Sequence, residues 1–476
     1  MRLHDELLLY RRTKIVATLG PSSLERTTVE RLIDAGVNVF RLNMSHGDQE
    51  SHRSAYELVR AAAGDAPIGI LVDLCGAKIR VGRFAGGEIQ LTDEEQVVVT
   101  TREILGGPGL IPSQYAELAT DVHPGARIFL SDGFIELVVE EVRERDVHCR
   151  VIHGGVLKDR KGMNLPDVDV TAPSLTDKDR DDAAFALGLG VDYVALSFVR
   201  SPDDVRELKA LFPEDHPVKV IAKIERPEAL DCIDEILDES DGIMIARGDL
   251  GVELPPEMVP VVQRQLIARA RARSKPCIVA TQMLESMTEY AQPTRAEVSD
   301  VSTAVFSGAD AVMLSGETAA GSFPVEAVQM MDRIARHVEA HLWNASGFRI
   351  DEDTSQAMLL NEALARSTAQ LSRDVRARAI VVFSRTGVTA RVVACARPAA
   401  PIIAVTSSEW TAPQLTLLWG VFPQQVKEND LATPNDLARA ITRERGLAIE
   451  GQSILTVAGF APELGESSPA ITVLTL

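Results

Sequence analysis

Lysine and carboxylate side chains follow two neighbouring apolar runs in the middle of the chain. Lys223 and Glu225 end the first run, and Gly248 and Asp249 follow the second run, residues 243–246. Short β-rich runs that end in charge are typical of parallel strands whose carboxyl ends form a site. We therefore expect these four residues to lie close together.

This combination suits metal-assisted phosphoryl chemistry. Glu225 and Asp249 offer the hard oxygen ligands that a divalent cation prefers, and Lys223 supplies positive charge for a phosphoryl group. Gly248 lets backbone amides approach an anion where a helix begins. A structural ion pair between Lys223 and Glu225 is the alternative reading of the same pattern.

A second group of polar residues follows two earlier apolar runs. Arg41, Asn43 and Ser45 alternate along one run, so they can share a face. Arg41 is suited to a phosphate, whereas Asn43 and Ser45 offer oxygen ligands or cap a loop. Asp73 ends the next run, and in a barrel it lies level with Asn43.

Further charges and hydroxyls follow other runs. Lys78 and Arg80 come shortly after Asp73, and Thr281 and Ser315 come at the ends of two late runs. The two hydroxyls suit a proton relay or a substrate hydrogen bond, and a helix N-cap is the competing role for each.

The composition of the chain argues against several classes of function. The chain has 476 residues and a net charge of −20, which disfavours binding to nucleic acid or to an anionic membrane. Five cysteines stand singly with no CxxC pair, which argues against a disulfide framework or a zinc site and favours a reducing cytoplasm. The apolar run at residues 7–10 is too short for a secretory signal, and no run reaches membrane-spanning length.

The spacing of the apolar runs predicts a (β/α)₈ barrel. Most successive strand ends are 23 to 34 residues apart, and helix-patterned segments at 24–35, 202–211 and 260–272 fill gaps between them. The predicted strand ends are Thr18, Asn43, Asp73, Ser197, Lys223, Ala246, Ala280 and Leu314.

The long interval between Asp73 and Ser197 indicates an inserted domain after the third strand. It reads as short alternating strands at 96–101, 127–130, 135–141 and 147–152, broken by Gly, Pro and Asp turns. We expect a small β domain that acts as a lid over the barrel mouth. The predicted division is barrel at 1–74, lid at 75–170, barrel again at 171–342, and a third domain at 343–476.

The third domain is predicted to be an open α/β layer that follows a polar link at 343–353. Helices are expected at 361–373, 390–396, 410–419 and 434–445. Strands are expected at 379–383, 402–406, 421–426, 453–458 and 470–474.

The chain resembles the pyruvate kinase family over nearly its whole length. The segments that carry the resemblance occur in one order: FRLNMSHG, DLCGAKIR, KGMNLP, IAKIERPEAL, ARGDLGVELP, ATQMLESM, PTRAEVSD and LSGETAAG. The resemblance implies transfer of a phosphoryl group from phosphoenolpyruvate to ADP, giving pyruvate and ATP.

The resemblance also implies roles for individual residues. Glu225 and Asp249 would hold the divalent ion, Mg²⁺ or Mn²⁺, and the backbone at Gly248 and Asp249 would receive the substrate carboxylate. Lys223 would stabilise the phosphoryl group in flight, and Arg41 would bind phosphate. Thr281, with Ser315, would protonate the enolate. Positions near the nucleotide are Asn43, His46, Arg80 and Lys161.

The chain departs from the family pattern at the hinge into the lid. Many members bind K⁺ at positions that match Asn43, Ser45, Asp73 and the Leu74 carbonyl, and they carry Glu where this chain has Lys78. Members with Lys at that position use its ammonium in place of the monovalent cation. We therefore expect K⁺ to be dispensable. Ala77 stands where the family usually has Pro, which loosens this hinge.

An effector loop is predicted in the third domain. It comprises Ser384, Arg385, Thr386, Gly387 and Thr389, and it precedes a helix, where phosphate binds readily. The run at 458–468 lacks the tryptophan and arginine of members that respond to fructose 1,6-bisphosphate. We expect a monophosphate effector such as AMP or a sugar monophosphate, or no effector.

Two other functions fit parts of the pattern. A metal-dependent barrel lyase or aldolase acting on an oxo acid enolate would use similar carboxylates but would not need the lid with Arg80 and Lys161. A catalytically silent regulatory protein would lack the catalytic set. The resemblance further implies a homotetramer, with Arg295 at an interface.

Overall fold

A closed barrel of eight parallel strands forms the centre of the molecule. The computed structural model describes residues 10–166, 168, 170–344, 359–460 and 469–476. Around the barrel, each strand pairs with the next in the order Lys14–Thr18, Ala311–Leu314, Cys277–Ala280, Gly242–Ala246, Lys219–Ile224, Tyr193–Leu196, Gly69–Asp73 and Val39–Asn43, and the last pairs with the first. The predicted fold class is confirmed.

Helices surround these strands because their apolar faces pack onto the barrel. Val29 and Leu32, for example, are fully buried from the helix Arg26–Ala35. The other helices of the barrel region are Gln49–Ala63, Asp177–Leu189, Pro202–Lys209, Glu228–Asp231, Ile233–Glu239, Arg247–Glu253, Val259–Ala272, Arg295–Phe306, Gly316–Ala319 and Pro324–Asn344. Six of the eight predicted strand ends match, and the other two differ by one residue, at Leu196 and Ile224.

Strand register decides which side chains reach the mouth of the barrel. Asn43 is paired with Asp73, as predicted, and Ala246 is paired with Ala280. The carboxyl ends of all eight strands therefore open on one side, where the loops that follow them can build a site.

Two antiparallel sheets lie between the third and fourth barrel strands and share a separate apolar core. The larger sheet has six strands, in the order Met163–Asn164, Arg127–Leu130, Ile135–Arg143, Asp146–His153, Gln96–Thr100 and Leu110–Pro112. The last two strands in this order are parallel to each other. The smaller pairs Gly155–Lys158 with Glu88–Leu91. The four predicted strands are present, and four strands of two to four residues escaped prediction because such short runs give no clear period.

A five-stranded sheet follows the barrel, in the order Val421–Gln425, Ile402–Thr406, Ile380–Phe383, Ser453–Ala458, Ala470–Thr475. The first four strands are parallel and the last is antiparallel. Its helices include Leu360–Asp374, Val388–Cys395 and Pro434–Glu444. Most of the predicted link and of the run at 458–468, like residues 7–9, lies outside the described residues.

The helix predicted at 410–419 is wrong as a single element. The chain forms the short helix Thr411–Gln414, then a 3₁₀ turn, Leu415–Leu417. The helix tightens into this 3₁₀ turn where the side chain of Leu417 joins the apolar cluster inside the barrel, with Val16, Leu71 and Met244. Beside it, Gln414 donates its amide to the carbonyl of Pro217, at 2.7 Å. This segment closes the barrel at the end opposite the mouth.

None of the helices described is both long and apolar enough to cross a membrane.

Candidate active site

Four charged side chains form a buried network at the mouth of the barrel. Arg41 Nε lies 2.6 Å from Asp73 Oδ2, and Lys223 Nζ lies 3.2 Å from Asp73 Oδ1 and 3.1 Å from Glu225 Oε1. Asp73 and Glu225 are 0% and 1% exposed, and the two cations are under 10% exposed. Charges this deeply buried require close partners, and each of them has one.

The charge of Lys223 is stabilised by these carboxylates. Burial alone would lower its pKa, but Asp73 and Glu225 outweigh burial and raise it. Burial would likewise raise the pKa of Asp73, and Lys223 and Arg41 together lower it. Both groups therefore stay ionised at neutral pH.

Glu225 behaves differently. Its pKa is raised by burial and, further, by the neighbouring Asp249, although Lys223 and the backbone amide of Phe198 act in the opposite direction. That amide donates to Glu225 Oε2 at 2.8 Å. A buried carboxylate whose pKa is raised by a second carboxylate nearby favours binding of a cation at the pair.

Ser197 connects parts of this network, whereas the sequence predicts only that it ends a strand. Lys223 Nζ donates to Ser197 Oγ at 2.7 Å, and Ser197 Oγ donates to the Leu74 carbonyl at 2.7 Å. Only the pairing of the third, fourth and fifth strands brings these residues together, so no local motif marks Ser197.

Asp249 lies in the first turn of a helix that follows its strand at once. The strand ends at Ala246 and the helix is Arg247–Glu253, which matches the predicted helix start. Lys78 Nζ forms an ion pair with Asp249 Oδ1 at 2.7 Å. The Lys78 ammonium thus contacts a candidate metal ligand, which the sequence did not predict.

Thr281 contacts the start of the same helix. Its hydroxyl accepts a hydrogen bond from the Gly248 amide at 2.7 Å and donates one to the Ala280 carbonyl at 2.6 Å. A Cβ at Gly248 would lie 3.3 Å from Thr281 Oγ1, so the glycine allows this close approach.

The turn at Thr281 and Gln282 has an uncommon backbone conformation. Their φ angles are 67° and 52°, in the left-handed region that a β-branched residue such as Thr rarely adopts. Each such residue costs on the order of 1–3 kcal/mol and persists only where its surroundings hold it. Arg247 donates to the carbonyls of both residues, at 3.0 Å and 2.6 Å.

Ser315 begins the short helix Gly316–Ala319. Its backbone amide donates to Glu317 Oε2 at 2.7 Å, and its hydroxyl is buried with no hydrogen-bond partner among the described residues. The second Glu317 oxygen accepts from the Leu284 amide, at 3.0 Å. Glu317 therefore ties the seventh and eighth strand ends together. In the part of the chain that the structure describes, no hydrogen bond joins the Ser315 hydroxyl to Thr281.

The predicted nucleotide residues lie in two places. Arg80 and Lys161 are on adjoining segments at the edge of the inserted sheets, where Arg80 bridges to Gly162 and the Lys161 carbonyl accepts from the Val81 amide at 2.9 Å. Asn43 and His46 share the turn after the second strand, where the His46 amide donates to the Asn43 carbonyl at 3.2 Å.

The positions that match the family's monovalent-ion set are engaged with protein groups. Asn43 Oδ1 accepts from the Ser45 amide at 3.2 Å, and the Leu74 carbonyl accepts from Ser197. Both oxygens of Asp73 face Arg41 and Lys223.

Glu225 and Asp249 fit a hard divalent cation by their chemistry. Among the described residues no group of three or more His, Cys, Asp or Glu side chains could hold a metal ion. Two protein carboxylates suit Mg²⁺, which keeps several waters and completes its shell with substrate oxygens.

The predicted effector loop lies between the strand Ile380–Phe383 and the helix Val388–Cys395. Gly387 caps this helix with a φ of 85°, which its lack of a side chain permits. Ser384 and Thr389 are buried, Arg385 and Thr386 are exposed, and the Arg385 carbonyl accepts from Thr411 Oγ1 at 2.8 Å.

Comparisons with known proteins agree with this architecture. The family model "Pyruvate kinase, barrel domain" matches residues 10–328, and "Pyruvate kinase, alpha/beta domain" matches residues 362–472.

Curated relatives match over nearly the full chain. "Pyruvate kinase 2" of Synechocystis sp. is 44% identical over 475 residues, covering 98% of this chain and 79% of the relative. The pyruvate kinase of Bacillus licheniformis is 42% identical over 466 residues, covering 96% and 79%. The pyruvate kinase of Staphylococcus aureus (strain MRSA252) is 42% identical over 457 residues, covering 94% and 78%. The chain therefore belongs to the pyruvate kinase family and is a phosphotransferase.

Proposed function

We propose that this chain transfers the phosphoryl group of phosphoenolpyruvate to ADP and then protonates the resulting enolate to give pyruvate. The observation that carries the proposal is the buried network of Arg41, Asp73, Lys223 and Glu225 beside Asp249. Phosphoryl transfer depends on positioning and on neutralising charge, and this network supplies fixed positive charge next to two metal-binding carboxylates.

Lys223 and Arg41 act on the phosphoryl group. Lys223 is held between two carboxylates, so its ammonium is fixed in position and charged before substrate arrives. Arg41 is oriented by Asp73 through Nε and by Thr18 Oγ1 through Nη1, at 3.1 Å. Such preorganised cations stabilise the transferring group without reorganisation during the reaction.

Glu225 and Asp249 would hold Mg²⁺ or Mn²⁺. When bound, the divalent ion neutralises and orients the substrate's carboxylate and phosphate oxygens. The backbone at Gly248 and Asp249 receives the substrate carboxylate at the start of its helix.

Thr281 delivers the proton to the enolate carbon, and Ser315 belongs to the same relay. Their hydroxyls follow the seventh and eighth strands, and the buried Ser315 hydroxyl is not engaged by described protein groups. The nucleotide is bound by Asn43, His46, Arg80 and Lys161, of which the last two lie on segments at the edge of the inserted sheets. Closure of the lid over the mouth would bring the two pairs together.

The domain division at 1–74, 75–170, 171–342 and 343–476 is part of this proposal. So are the cytoplasmic location, the homotetramer with Arg295 at an interface, and the independence from K⁺. The loop of Ser384, Arg385, Thr386, Gly387 and Thr389 is proposed to bind a monophosphate effector. Its contact with Thr411 supports a regulatory role, because Thr411 begins the segment that closes the barrel.

A coupled assay tests the function. Pyruvate formed from phosphoenolpyruvate and ADP is followed through lactate dehydrogenase, with the divalent ion, KCl and effectors varied in turn. We expect pyruvate formation that requires both ADP and the divalent ion. A barrel lyase or aldolase would instead give no ADP-dependent product, and a silent regulatory protein would give none at all.

A further inference from the structure

We propose that Arg247 is a positioning residue that holds the turn at Thr281 and Gln282, and that this turn aims the Thr281 hydroxyl at the enolate carbon. The inference rests on the proposed function and adds the reason why Thr281 can serve as the proton donor.

The guanidinium of Arg247 binds the turn through two of its nitrogens. Nη2 donates to the carbonyls of Thr281 and Gln282 at 3.0 and 2.6 Å, and Nε lies 3.3 Å from the Thr281 carbonyl. Consecutive left-handed residues turn their carbonyls toward the guanidinium, whose planar set of donors can bind both. The clamp therefore acts at the two residues whose φ angles are positive.

Arg247 is itself held in place. Its side chain is 10% exposed, and Nη1 forms an ion pair with Asp300 Oδ2 at 3.2 Å. It is the first residue of its helix, and the amide of the next residue, Gly248, donates to Thr281 Oγ1. Two successive residues thus fix Thr281 at both its hydroxyl and its carbonyl.

A direct role in binding phosphate is the rival interpretation of this arginine. Nε and Nη2 are committed to carbonyls and Nη1 donates to Asp300, so four of the five N–H donors have protein partners and no pair is left for a bidentate phosphate contact. The geometry therefore assigns Arg247 to Thr281 and not to the substrate.

Arg247→Met and Arg247→Lys variants test the proposal, with Arg269→Met as the matched control. Arg269 lies on a helix of the barrel, where it pairs with the half-buried Asp234 at 3.3 Å, and its loss should leave all rates unchanged. Proton transfer is isolated by measuring, by NMR in D₂O with ATP and divalent ion, how fast the methyl hydrogens of pyruvate exchange. Overall turnover, the KM for phosphoenolpyruvate and the solvent isotope effect on kcat are measured in parallel.

For Arg247→Met we expect exchange to fall about 100-fold, the lower range of what a positioned acid or base contributes. Turnover should fall less, with a larger solvent isotope effect, because proton delivery becomes rate-limiting. The KM should change by less than about three-fold, since substrate binding at the other residues is intact. The exchange rate of Arg247→Lys should lie between those of Arg247→Met and wild type, because an ammonium keeps the charge but lacks the planar set of donors.

Two results would overturn the inference. Exchange and turnover falling by the same factor with an unchanged isotope effect would indicate general structural damage. A raised KM with intact exchange would indicate that Arg247 binds substrate. In either case wild type still converts phosphoenolpyruvate to pyruvate, whereas an inactive wild type would refute the proposed function itself.

A compensating variant covers the case in which Arg247→Met does not fold. Glycine reaches positive φ without a steric penalty, so Gln282→Gly should restore part of the exchange rate lost in Arg247→Lys. No recovery in the double variant would mean that Arg247 does not act by holding this turn.

Discussion

Lys78 and Asp249 are 171 positions apart in the chain, yet their side chains form an ion pair with an Nζ–Oδ1 distance of 2.7 Å. Lys78 stands where the barrel leads into the inserted sheets, and Asp249 is a proposed ligand of the divalent ion. Under the proposed function, the ammonium and the divalent ion would compete for this carboxylate. We therefore expect metal binding to alter the contact between Lys78 and Asp249.

Removal of the ammonium should strengthen metal binding. We expect Lys78→Met to bind Mn²⁺ about two- to five-fold more tightly, which corresponds to the worth of a partly exposed ion pair. Isothermal titration calorimetry of the substrate-free protein measures this. Lys158→Met is the control, because it removes an exposed lysine of the same inserted region. Equal affinities in all three proteins would contradict the competition.

The requirement for K⁺ should depend on the same residue. In Tris buffers free of Na⁺ and K⁺, added KCl should raise the activity of wild type by less than about two-fold, because the Lys78 ammonium already supplies the positive charge of the monovalent cation. Lys78→Glu should lose most of its activity without KCl and regain part of it when KCl is added. Many-fold activation of wild type by KCl would show this expectation to be wrong.

Loss of Lys223 should remove catalysis and weaken the fold. Lys223→Met should lower kcat by at least about 1,000-fold, as loss of a cation that stabilises phosphoryl transfer does. It also removes the buried cation from Glu225 and one of the two cations that face Asp73, which costs on the order of 3–5 kcal/mol. The coupled assay and thermal unfolding followed by circular dichroism measure the two effects.

Lys219→Met is the control for this variant. Lys219 begins the same strand at the opposite end of the barrel, and its side chain is 39% exposed. Its kcat should stay within about two-fold of wild type, as for most surface changes. A stable, active Lys223→Met protein would remove the central element of the proposed mechanism.

Acid should weaken the contribution of the Asp73 carboxylate to the stability of the folded protein. Its pKa in the folded protein is lowered by Lys223 and Arg41 against the effect of burial, so its stabilisation is complete above its unfolded pKa, about 3.9. The stabilisation is lost as pH falls through the lowered pKa of the folded state. The melting temperatures of wild type and Asp73→Asn should therefore differ most near pH 6 and converge below about pH 4.

Asp65→Asn provides the comparison for this pH series, since Asp65 is exposed on a loop. Its melting temperature should follow that of wild type at every pH. A difference between wild type and Asp73→Asn that stays constant into acid would mean that the Asp73 carboxylate adds no pH-dependent stability.

The sequence predicted those features that repeat or lie close together along the chain. The strand ends, the register of Asn43 with Asp73 and the helix start near Gly248 follow from local patterns, and they agree with the structure to within one residue. The relatives confirm the family and its reaction class.

Contacts between distant elements could not be predicted in this way. Ser197 and Arg247 act through side chains that reach neighbouring strand ends, and no spacing in the sequence indicates that geometry. The break after Gln414 was missed for the same reason, because it depends on Leu417 finding space among barrel side chains.

The position of Leu417 also limits how the molecule can be divided. The interior of the barrel is completed by a side chain from the sheet region that follows it, so a fragment ending near residue 344 would leave a row of apolar residues open to water. A barrel built from this chain without its third domain would therefore need residues 411–417, or another hydrophobic side chain that fills the same opening.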